Sequence, residues 1–138
     1  HTIPRGYLRA DTIYFTGKKA NGEWVEKNPE KITMDLLQRG RERYTIYCAV
    51  CHDDAGYGKG IVTKRSPDLI PVSYHTDALR EQADGYLFDV ITNGSQSTLM
   101  GSYRHQVRVR DRWAIVAYLR ALQRSQHATA KDVPPDKK

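Results

Sequence analysis

The chain has 138 residues, of which 39% are hydrophobic and 9% aromatic, which is typical of one domain with a modest apolar core. Its longest apolar run, residues 114–119, is far shorter than the roughly 20 residues that cross a bilayer as a helix. The formal net charge of +6 comes from lysines and arginines spread along the chain without a cluster or a nucleic-acid-binding motif, which argues against nucleic acid as a partner. Such a charge favours either docking on an acidic protein surface or a merely solvated exterior.

The first 32 residues form a polar lead with scattered aromatic residues and no helical period. Asn21-Gly22 predicts a two-residue hairpin turn between short extended pieces. Because the aromatic residues of the lead have no helical core of their own to fill, we predict that residues 1–32 are an irregular N-terminal extension that serves as a docking arm. The chain opens without the apolar stretch of a signal peptide, as expected of a mature form whose export signal has been removed.

A helix is predicted after Thr33, whose side chain can cap it, and it continues to Tyr47. Leu36, Gly40 and Tyr44 are spaced four apart and therefore share one face of this helix. A glycine in mid-helix costs about 1 kcal/mol relative to alanine, so Gly40 is expected to allow the close approach of another helix. The alternative is that Gly40 ends one short helix and begins another.

The most informative motif follows at Cys48-Ala49-Val50-Cys51-His52, which contains both cysteines of the chain. C-x-x-C-H is the attachment pattern of c-type haem. The two thiols can add to the two vinyl groups of one porphyrin, and the adjacent imidazole can bind the iron as proximal ligand. A thioredoxin-like pair would need a preceding strand, whereas these residues follow a predicted helix. A zinc site would need a second histidine pair, which the other histidines do not form. The sequence therefore predicts one covalently bound haem c, held by Cys48 and Cys51 with His52 as an iron ligand.

Two further helices are predicted downstream of this motif. The first covers residues 84–92 and ends at Asn93-Gly94, a typical C-terminal stop signal. The second covers residues 110–124 and has an acidic first turn and arginines near its end, which suits the helix dipole. Together with the helix before the haem motif, these elements predict an all-α domain.

The connecting segments complete the predicted organisation. Residues 56–60 read G-x-G-x-G, which matches neither a phosphate-binding nor a dinucleotide-binding loop and is predicted to pass close to the haem edge. The tail at 126–138 is polar and contains prolines, so we expect it to be flexible. Residues 33–125 remain as the haem domain.

These features together resemble a class I c-type cytochrome over residues 34–125. The resemblance rests on Cys48-x-x-Cys51-His52, on Gly40-x-x-x-Tyr44-x-x-x-Cys48, on Ile115-Val116-Ala117-Tyr118-Leu119 and on a methionine between the haem motif and the last helix. It implies a class I cytochrome c fold, in which the N- and C-terminal helices cross and the haem lies between them. It also implies electron transfer by the haem, so that the protein is an electron carrier and not an enzyme.

The resemblance also suggests the second iron ligand. Met100 and Tyr103 resemble the family's Met-x-x-Tyr ligand segment, although a glycine follows the methionine where proline is frequent. Met34 lies at the start of the helix that leads into the haem motif and cannot readily fold back over the opposite haem face. Met100 is therefore predicted as the sixth ligand, with His75 and His105 as alternatives that would lower the reduction potential.

Two residues are predicted to support these ligands. Tyr103 accompanies Met100 in the ligand segment that the resemblance implies. Pro67 resembles the family's proline whose carbonyl accepts the second ring N–H of the proximal histidine, an interaction that metal-bound imidazoles usually make. The alternative for Pro67 is an ordinary loop proline.

Three longer segments, residues 39–48, 90–94 and 111–123, are similar to the mono-haem cytochrome subunit of bacterial alternative complex III, a membrane assembly that oxidises quinol. The similarity implies a place in the periplasm or on the outer face of the bacterial cytoplasmic membrane. Its implied partners are the other subunits of that respiratory complex and a terminal oxygen reductase. Membrane association would come through these partners or an unseen anchor, because the N-terminal lipid-bearing cysteine of some members is absent.

Two other functions are compatible with the same residues. The first is a free, soluble periplasmic electron shuttle, which shares the haem chemistry but belongs to no complex. The second is a haem-based sensor or a peroxidase-like enzyme with a labile sixth ligand, for which Arg104 and His105 are candidate residues near Met100.

Overall fold

The computed structural model describes residues 12–66, 68, 71–95 and 100–127, and over these ranges the chain is helical without a regular strand. The helices are α1 (Met34–Tyr47), α2 (Ala49–His52), α3 (Ile61–Arg65), α4 (Asp77–Arg80), α5 (Asp84–Asn93) and α6 (Val109–Gln126). The predicted all-α class is confirmed. Pro67, residues 1–11 and most of the polar tail, residues 128–138, lie outside the described residues. None of the described helices is long and apolar enough to cross a membrane.

Helix α1 begins as predicted, because the Thr33 hydroxyl accepts a hydrogen bond of 3.1 Å from the backbone N–H of Leu36. Its buried face, which carries Leu36, Gly40 and Tyr44, packs on α6. A Cβ atom placed on Gly40 would lie 2.1 Å from the carbonyl oxygen of Ala114. The predicted helix crossing is therefore at Gly40, and the alternative that Gly40 separates two short helices is wrong, since α1 runs unbroken to Tyr47.

The same crossing is reinforced by an ion pair at its edge. Arg39 donates from Nε to Oδ1 of Asp111 at 2.9 Å and from Nη2 to Oδ2 at 3.1 Å, which is the bidentate geometry that suits a guanidinium and a carboxylate. Asp111 is only 6% exposed. Its pKa is held below the usual range by the Arg39 hydrogen bonds, although burial works in the opposite direction.

Helix α5 and helix α6 form the main apolar core with the buried side of α1. The rings of Phe88 and Trp113 stack with centroids 4.1 Å apart, and both residues are fully buried. Helix α5 ends at Asn93 and is capped by Gly94, which has the positive φ of 85° that glycine tolerates best. Both helices match the predicted segments to within two residues, which is the usual uncertainty of helix ends.

Residues 12–32 of the lead pack against this core and include a helical turn at 12–16. Trp113 Nε1 donates to the carbonyl oxygen of Tyr14 at 2.7 Å, and Asn28 Nδ2 donates to the carbonyl oxygen of Trp113 at 2.8 Å. Gly17 and Gly85 bring their backbones so close that a Cβ on either would clash with the other. The lead is expected to have no helical core of its own, and its Tyr14 packs instead against the main cluster of the domain.

The predicted hairpin is present only as a tight turn. One isolated antiparallel bridge joins Lys18 and Trp24. Around Asn21-Gly22, the backbone N–H of Lys19 donates to the carbonyl oxygen of Glu23 at 2.8 Å. The flanking residues do not extend into strands, because the lead turns away to reach α5 through hydrogen bonds from Asp84 and Gly85 to the backbone of Glu26 and Val25.

Candidate functional site

The haem-attachment motif is placed at the junction between α1 and α2. Cys48 is the C-cap of α1, and the next four residues form the short helix α2 that ends at His52. Cys48 is 7% exposed and Cys51 is half-buried, and both are free thiols. Burial, followed by the neighbouring Cys51, raises the pKa of Cys48 to about 12. The helical turn places both thiols and the imidazole around one cavity.

Cys48, Cys51 and His52 line one cavity of about 260 Å³. Its other walls come from the 71–79 segment, from α5, from the residues around Met100 and from α6. Most of the lining side chains are apolar or aromatic: Tyr47, Pro71, Val72, Tyr74, Leu79, Tyr86, Leu87, Val90, Ile91, Tyr103 and Leu119. An apolar cleft with a few convergent polar groups is what a planar, largely apolar cofactor requires.

The ring of His52 is held in place by an aromatic neighbour. It stacks on Tyr74, with centroids 4.7 Å apart and planes 24° apart, and Tyr74 is itself 8% exposed. Burial lowers the pKa of His52, while the Val72 backbone and Asp53 work to raise it. The neutral imidazole that results is the form that binds a metal ion.

The hydrogen bonding of the His52 ring indicates whether a metal-bearing cofactor fits this cavity. His52 Nδ1 is buried and has no hydrogen-bond partner among the described residues. An unpartnered buried nitrogen is costly unless another group occupies it. The two thiols, the unpartnered imidazole nitrogen and the apolar walls are the donor set that a covalently attached haem needs, so the residues fit this cofactor.

Pro67, whose carbonyl is the predicted partner of His52, lies outside the described residues, so that interaction stays a prediction. Among the described residues, the Val72 backbone acts to raise the pKa of the imidazole. Neither Val72 nor Tyr74 was singled out from the sequence. The stretch from Pro71 to Tyr74 has no periodic pattern, and its only signal was the presence of an aromatic residue close to a loop of glycines.

The three candidates for the sixth ligand occupy different places. Met100 lines the same cavity as His52. His75 does not: its Nε2 lies 2.7 Å from the carbonyl oxygen of Ala55, and its ring packs on Tyr57. His105 is exposed and does not line the cavity either. Of these candidates, Met100 alone lies where it can face the bound cofactor.

The backbone of Met100 is held by Ser95, two residues beyond the end of α5. Ser95 donates its backbone N–H to the carbonyl oxygen of Met100 at 3.0 Å, and its hydroxyl accepts from the Met100 N–H at 3.3 Å. Tyr103 donates its backbone N–H to Ile91 on α5 at 3.0 Å, and its ring lies edge-on to Tyr47 with centroids 6.1 Å apart. Tyr103 lines the same cavity as Met100, and its supporting role stays a prediction.

The loop after His52 is organised by Asp53. Its carboxylate accepts hydrogen bonds from the backbone N–H groups of Ala55, Gly56, Tyr57 and Lys59 at 2.8–3.3 Å. Burial acts to raise the pKa of Asp53, but these four donors lower it overall. A Cβ on Gly56 would lie 2.6 Å from the Tyr74 ring, so the glycine loop packs directly behind the aromatic residue that supports His52.

The sequence model of the family described as "Cytochrome C oxidase, cbb3-type, subunit III" matches residues 35–119, which is more than half of the chain. The chain belongs to this cytochrome c family. As a c-type cytochrome, it is a haem-c protein whose class of chemistry is electron transfer. The predicted class I c-type cytochrome is thereby confirmed. No curated protein matches the sequence.

Two solved structures share the fold of this cytochrome. One is a chain of the reducing HAO-like protein complex of Kuenenia stuttgartiensis, with a TM-score of 0.58 and 18% identity over 80% of this chain and 54% of that one. This cytochrome thus spans about half the length of that relative. The other is cytochrome cL from Methylophaga aminisulfidivorans, with a TM-score of 0.55 and 16% identity over 100% of this chain and 92% of that one. At these identities the likeness concerns the fold alone.

Proposed function

We propose that this chain carries electrons through a single haem c held by Cys48, Cys51, His52 and Met100. The observation that carries the proposal is that all four side chains line one apolar cavity, with a buried and unpartnered nitrogen on His52. When bound, haem c supplies an iron that takes up and releases one electron. The chain would then be an electron carrier, not an enzyme.

Each residue of the pocket has a separate task in this proposal. Cys48 and Cys51 would tether the porphyrin through thioethers, and His52 and Met100 would bind its iron. Methionine ligation favours a higher reduction potential than a second histidine would. The apolar walls would exclude water, and the stacking on Tyr74 would hold the imidazole plane of His52 fixed.

The ligand assignment is tested by replacing Met100 with alanine. The variant should retain covalent haem through its two thioethers, but its reduction potential should fall and its reduced form should bind carbon monoxide. Met34→Ala is the matched control, because Met34 is 67% exposed at the start of α1 and should change neither property. An unchanged potential and spectrum in Met100→Ala would eliminate Met100, and His75 and His105 would then be replaced in turn.

The same measurement addresses the sensor or peroxidase-like alternative. A labile sixth position predicts rapid binding of carbon monoxide by the reduced wild-type protein. In the described residues His105 is exposed, and the Arg104 side chain is engaged with Asn93 and not with the cavity. We therefore expect the wild-type protein to bind carbon monoxide slowly or not at all, whereas Met100→Ala binds it quickly.

For the cellular role, we propose a subunit of a quinol-oxidising respiratory complex on the periplasmic face of the bacterial cytoplasmic membrane, which passes electrons toward an oxygen reductase. Two observations support this choice over a free shuttle. One is the resemblance of residues 39–48, 90–94 and 111–123 to the mono-haem subunit of alternative complex III. The other is that the matched family takes its name from an oxidase subunit.

The two roles differ in what they predict for the isolated protein. A subunit should co-purify with integral membrane proteins when a tagged chain is recovered from detergent-solubilised membranes. A free shuttle should be recovered alone, and its electron transfer to an acidic acceptor should slow steeply with salt, because the Debye length falls from about 10 Å at 0.1 M to about 3 Å at 1 M.

The docking-arm hypothesis is tested by deleting residues 1–11 and not the whole lead. Residues 12–32 pack on the core, so removing them would disturb the fold. Removal of residues 1–11 should abolish co-purification with membrane subunits and leave the haem spectrum intact. Retained co-purification would contradict the docking arm, and the binding surface would then have to be sought on the haem domain.

A further inference from the structure

Arg112 is a buried cation at the start of α6, with 6% of the residue exposed. Its guanidinium donates to two backbone carbonyls, from Nε to Val107 at 2.9 Å and from Nη2 to Arg104 at 2.8 Å. A longer contact of 3.4 Å joins Nη1 to the hydroxyl of Thr92 on α5. No ion pair joins it to a carboxylate in the part of the chain that the structure describes.

A buried cation without a carboxylate partner destabilises the fold, so this arginine needs a role that an apolar side chain could not fill. Burying an ion costs several kcal/mol, and neutral carbonyls offset this cost only in part. Burial and the nearby Arg104 lower the pKa of Arg112, yet a guanidinium remains protonated at any physiological pH. A leucine or methionine would fill the same space without the charge. The value of arginine here therefore lies in its rigid fork of donors.

The groups that this fork joins all flank Met100. Arg104 and Val107 belong to the segment 101–108, which connects Met100 to α6, and Thr92 belongs to the last turn of α5, which leads toward Met100 from the other side. The Thr92 carbonyl oxygen also accepts from the hydroxyl of Ser102 at 2.5 Å. Arg112 thus ties the segment after Met100 to both helices. Arg112 itself does not line the haem cavity.

We propose that Arg112 is a positioning residue that holds the segment 101–108, and through it Met100, in the arrangement that presents the thioether to the iron. The proposal rests on Met100 being the sixth ligand. Groups that orient a metal ligand are themselves part of the site, and their loss typically weakens metal binding or activity by about 10- to 100-fold. Without the fork, the segment is still tied to α5 by Ser102 and Tyr103, but its far end near Val107 is released.

The test compares the holoproteins Arg112→Gln, Arg112→Lys and wild type. In the ferric state, Arg112→Gln should bind imidazole at least about ten-fold more tightly than wild type, because a loosened thioether is displaced more easily. Its methionine-to-iron charge-transfer band should weaken, and its reduction potential should fall. Arg112→Lys keeps the charge and up to three donors, so it should restore part of each property.

Arg120 supplies the matched control. It lies on the same helix and its guanidinium also binds backbone carbonyls, those of Leu79 and Arg80, together with the Asp84 carboxylate at 2.7 Å. These contacts hold a segment that carries no proposed ligand. Arg120→Gln should lower the denaturant midpoint while leaving the charge-transfer band, imidazole affinity and potential unchanged. If Arg120→Gln alters those three properties as much as Arg112→Gln, general destabilisation explains both and the proposal is overturned.

The outcomes separate this inference from the function on which it rests. If Met100→Ala opens the iron to ligands and Arg112→Gln does not, the role of Arg112 is refuted and the ligand assignment stands. If Met100→Ala changes nothing, the assignment of Met100 as ligand fails, and with it the basis of this inference. Should Arg112→Gln not fold, Arg112→Lys gives the decision by amide hydrogen exchange. The proposal predicts faster exchange at the Val107 amide than in wild type, and equal exchange would overturn it.

Discussion

Substitution of Gly40 is the sharpest test of the helix crossing that frames the haem pocket. A methyl group at this position would lie 2.1 Å from the carbonyl oxygen and 2.6 Å from the carbonyl carbon of Ala114, whereas ordinary contacts begin near 3.4 Å. The obstruction is backbone of α6, which cannot rotate aside as a flexible side chain would, and Ala114 is fully buried. Helix α1 would have to move by roughly an ångström, which would also disturb the Arg39–Asp111 pair.

The expected change in the free energy of unfolding is the sum of two opposing contributions. Overpacking of a core typically costs about 1–3 kcal/mol and occasionally more, while the exchange of glycine for alanine in mid-helix returns up to about 1 kcal/mol. We expect Gly40→Ala to lower the free energy of unfolding by about 1–2 kcal/mol. Gly40→Val should lower it further, because the branched side chain adds volume and has a poorer helix propensity.

The assay is denaturant unfolding of the haem-loaded proteins, with the midpoints compared at equal m-values. Gln38→Ala is a suitable control, because Gln38 is exposed on the same helix. Its midpoint should stay close to that of wild type. A Gly40→Ala variant that is as stable as wild type, or more stable, would refute the reasoning, since the helix-propensity gain would then exceed any steric cost at the crossing.

Two further predictions concern the ends of the same helices. Arg39 holds the pKa of Asp111 below its usual value, so the carboxylate stabilises the fold fully above the unfolded pKa of about 3.9, and this contribution is lost as the pH falls through the lower folded pKa. Asp111→Asn should therefore be less stable than wild type by about 1.5 kcal/mol near pH 7, and denaturant midpoints should converge as the pH falls below about 4. A gap that stays constant down to about pH 2 would contradict this. At the start of α1, Thr33→Ala should lower the free energy of unfolding by about 1 kcal/mol, because it removes the hydrogen bond that caps the Leu36 N–H. Denaturant unfolding measures this change as well. Thr33→Ser keeps the acceptor, so equal midpoints for the two variants would show that the cap contributes nothing.

The helices and the attachment motif could be predicted from the sequence because each carries a local signal. Helix α1 has a capping threonine and buried residues spaced four apart. Gly40, a poor helix former, stands where the close approach of α6 requires a residue without a side chain. The C-x-x-C-H motif needs only five consecutive residues to specify its chemistry. Met100 is predicted with the help of a resemblance, and its role as ligand stays a prediction, although it lines the same cavity as His52.

The parts that escaped prediction depend on contacts between distant residues. The lead is tied down by backbone carbonyls of Tyr14 and Trp113 and by the approach of Gly17 to Gly85. Backbone acceptors carry no sequence identity, and a glycine in a loop predicts a turn as readily as a close contact. The support of His52 by Tyr74 is similar, since an aromatic residue in an irregular segment gives no indication of the ring on which it will stack.

Among the described helices, α6 is the nearest to the C-terminus. It is therefore synthesised after the helices that pack on it. The close approach at Gly40, the stacking of Phe88 and the anchoring of Tyr14 all have their counterparts on α6, across sequence separations that reach 99 residues. Polypeptides emerge from the ribosome N-terminus first, so about a hundred residues must wait with their apolar faces uncovered until this helix appears. A nascent chain that stops before Val109 would have its attachment motif in place but no surface on which to assemble the fold.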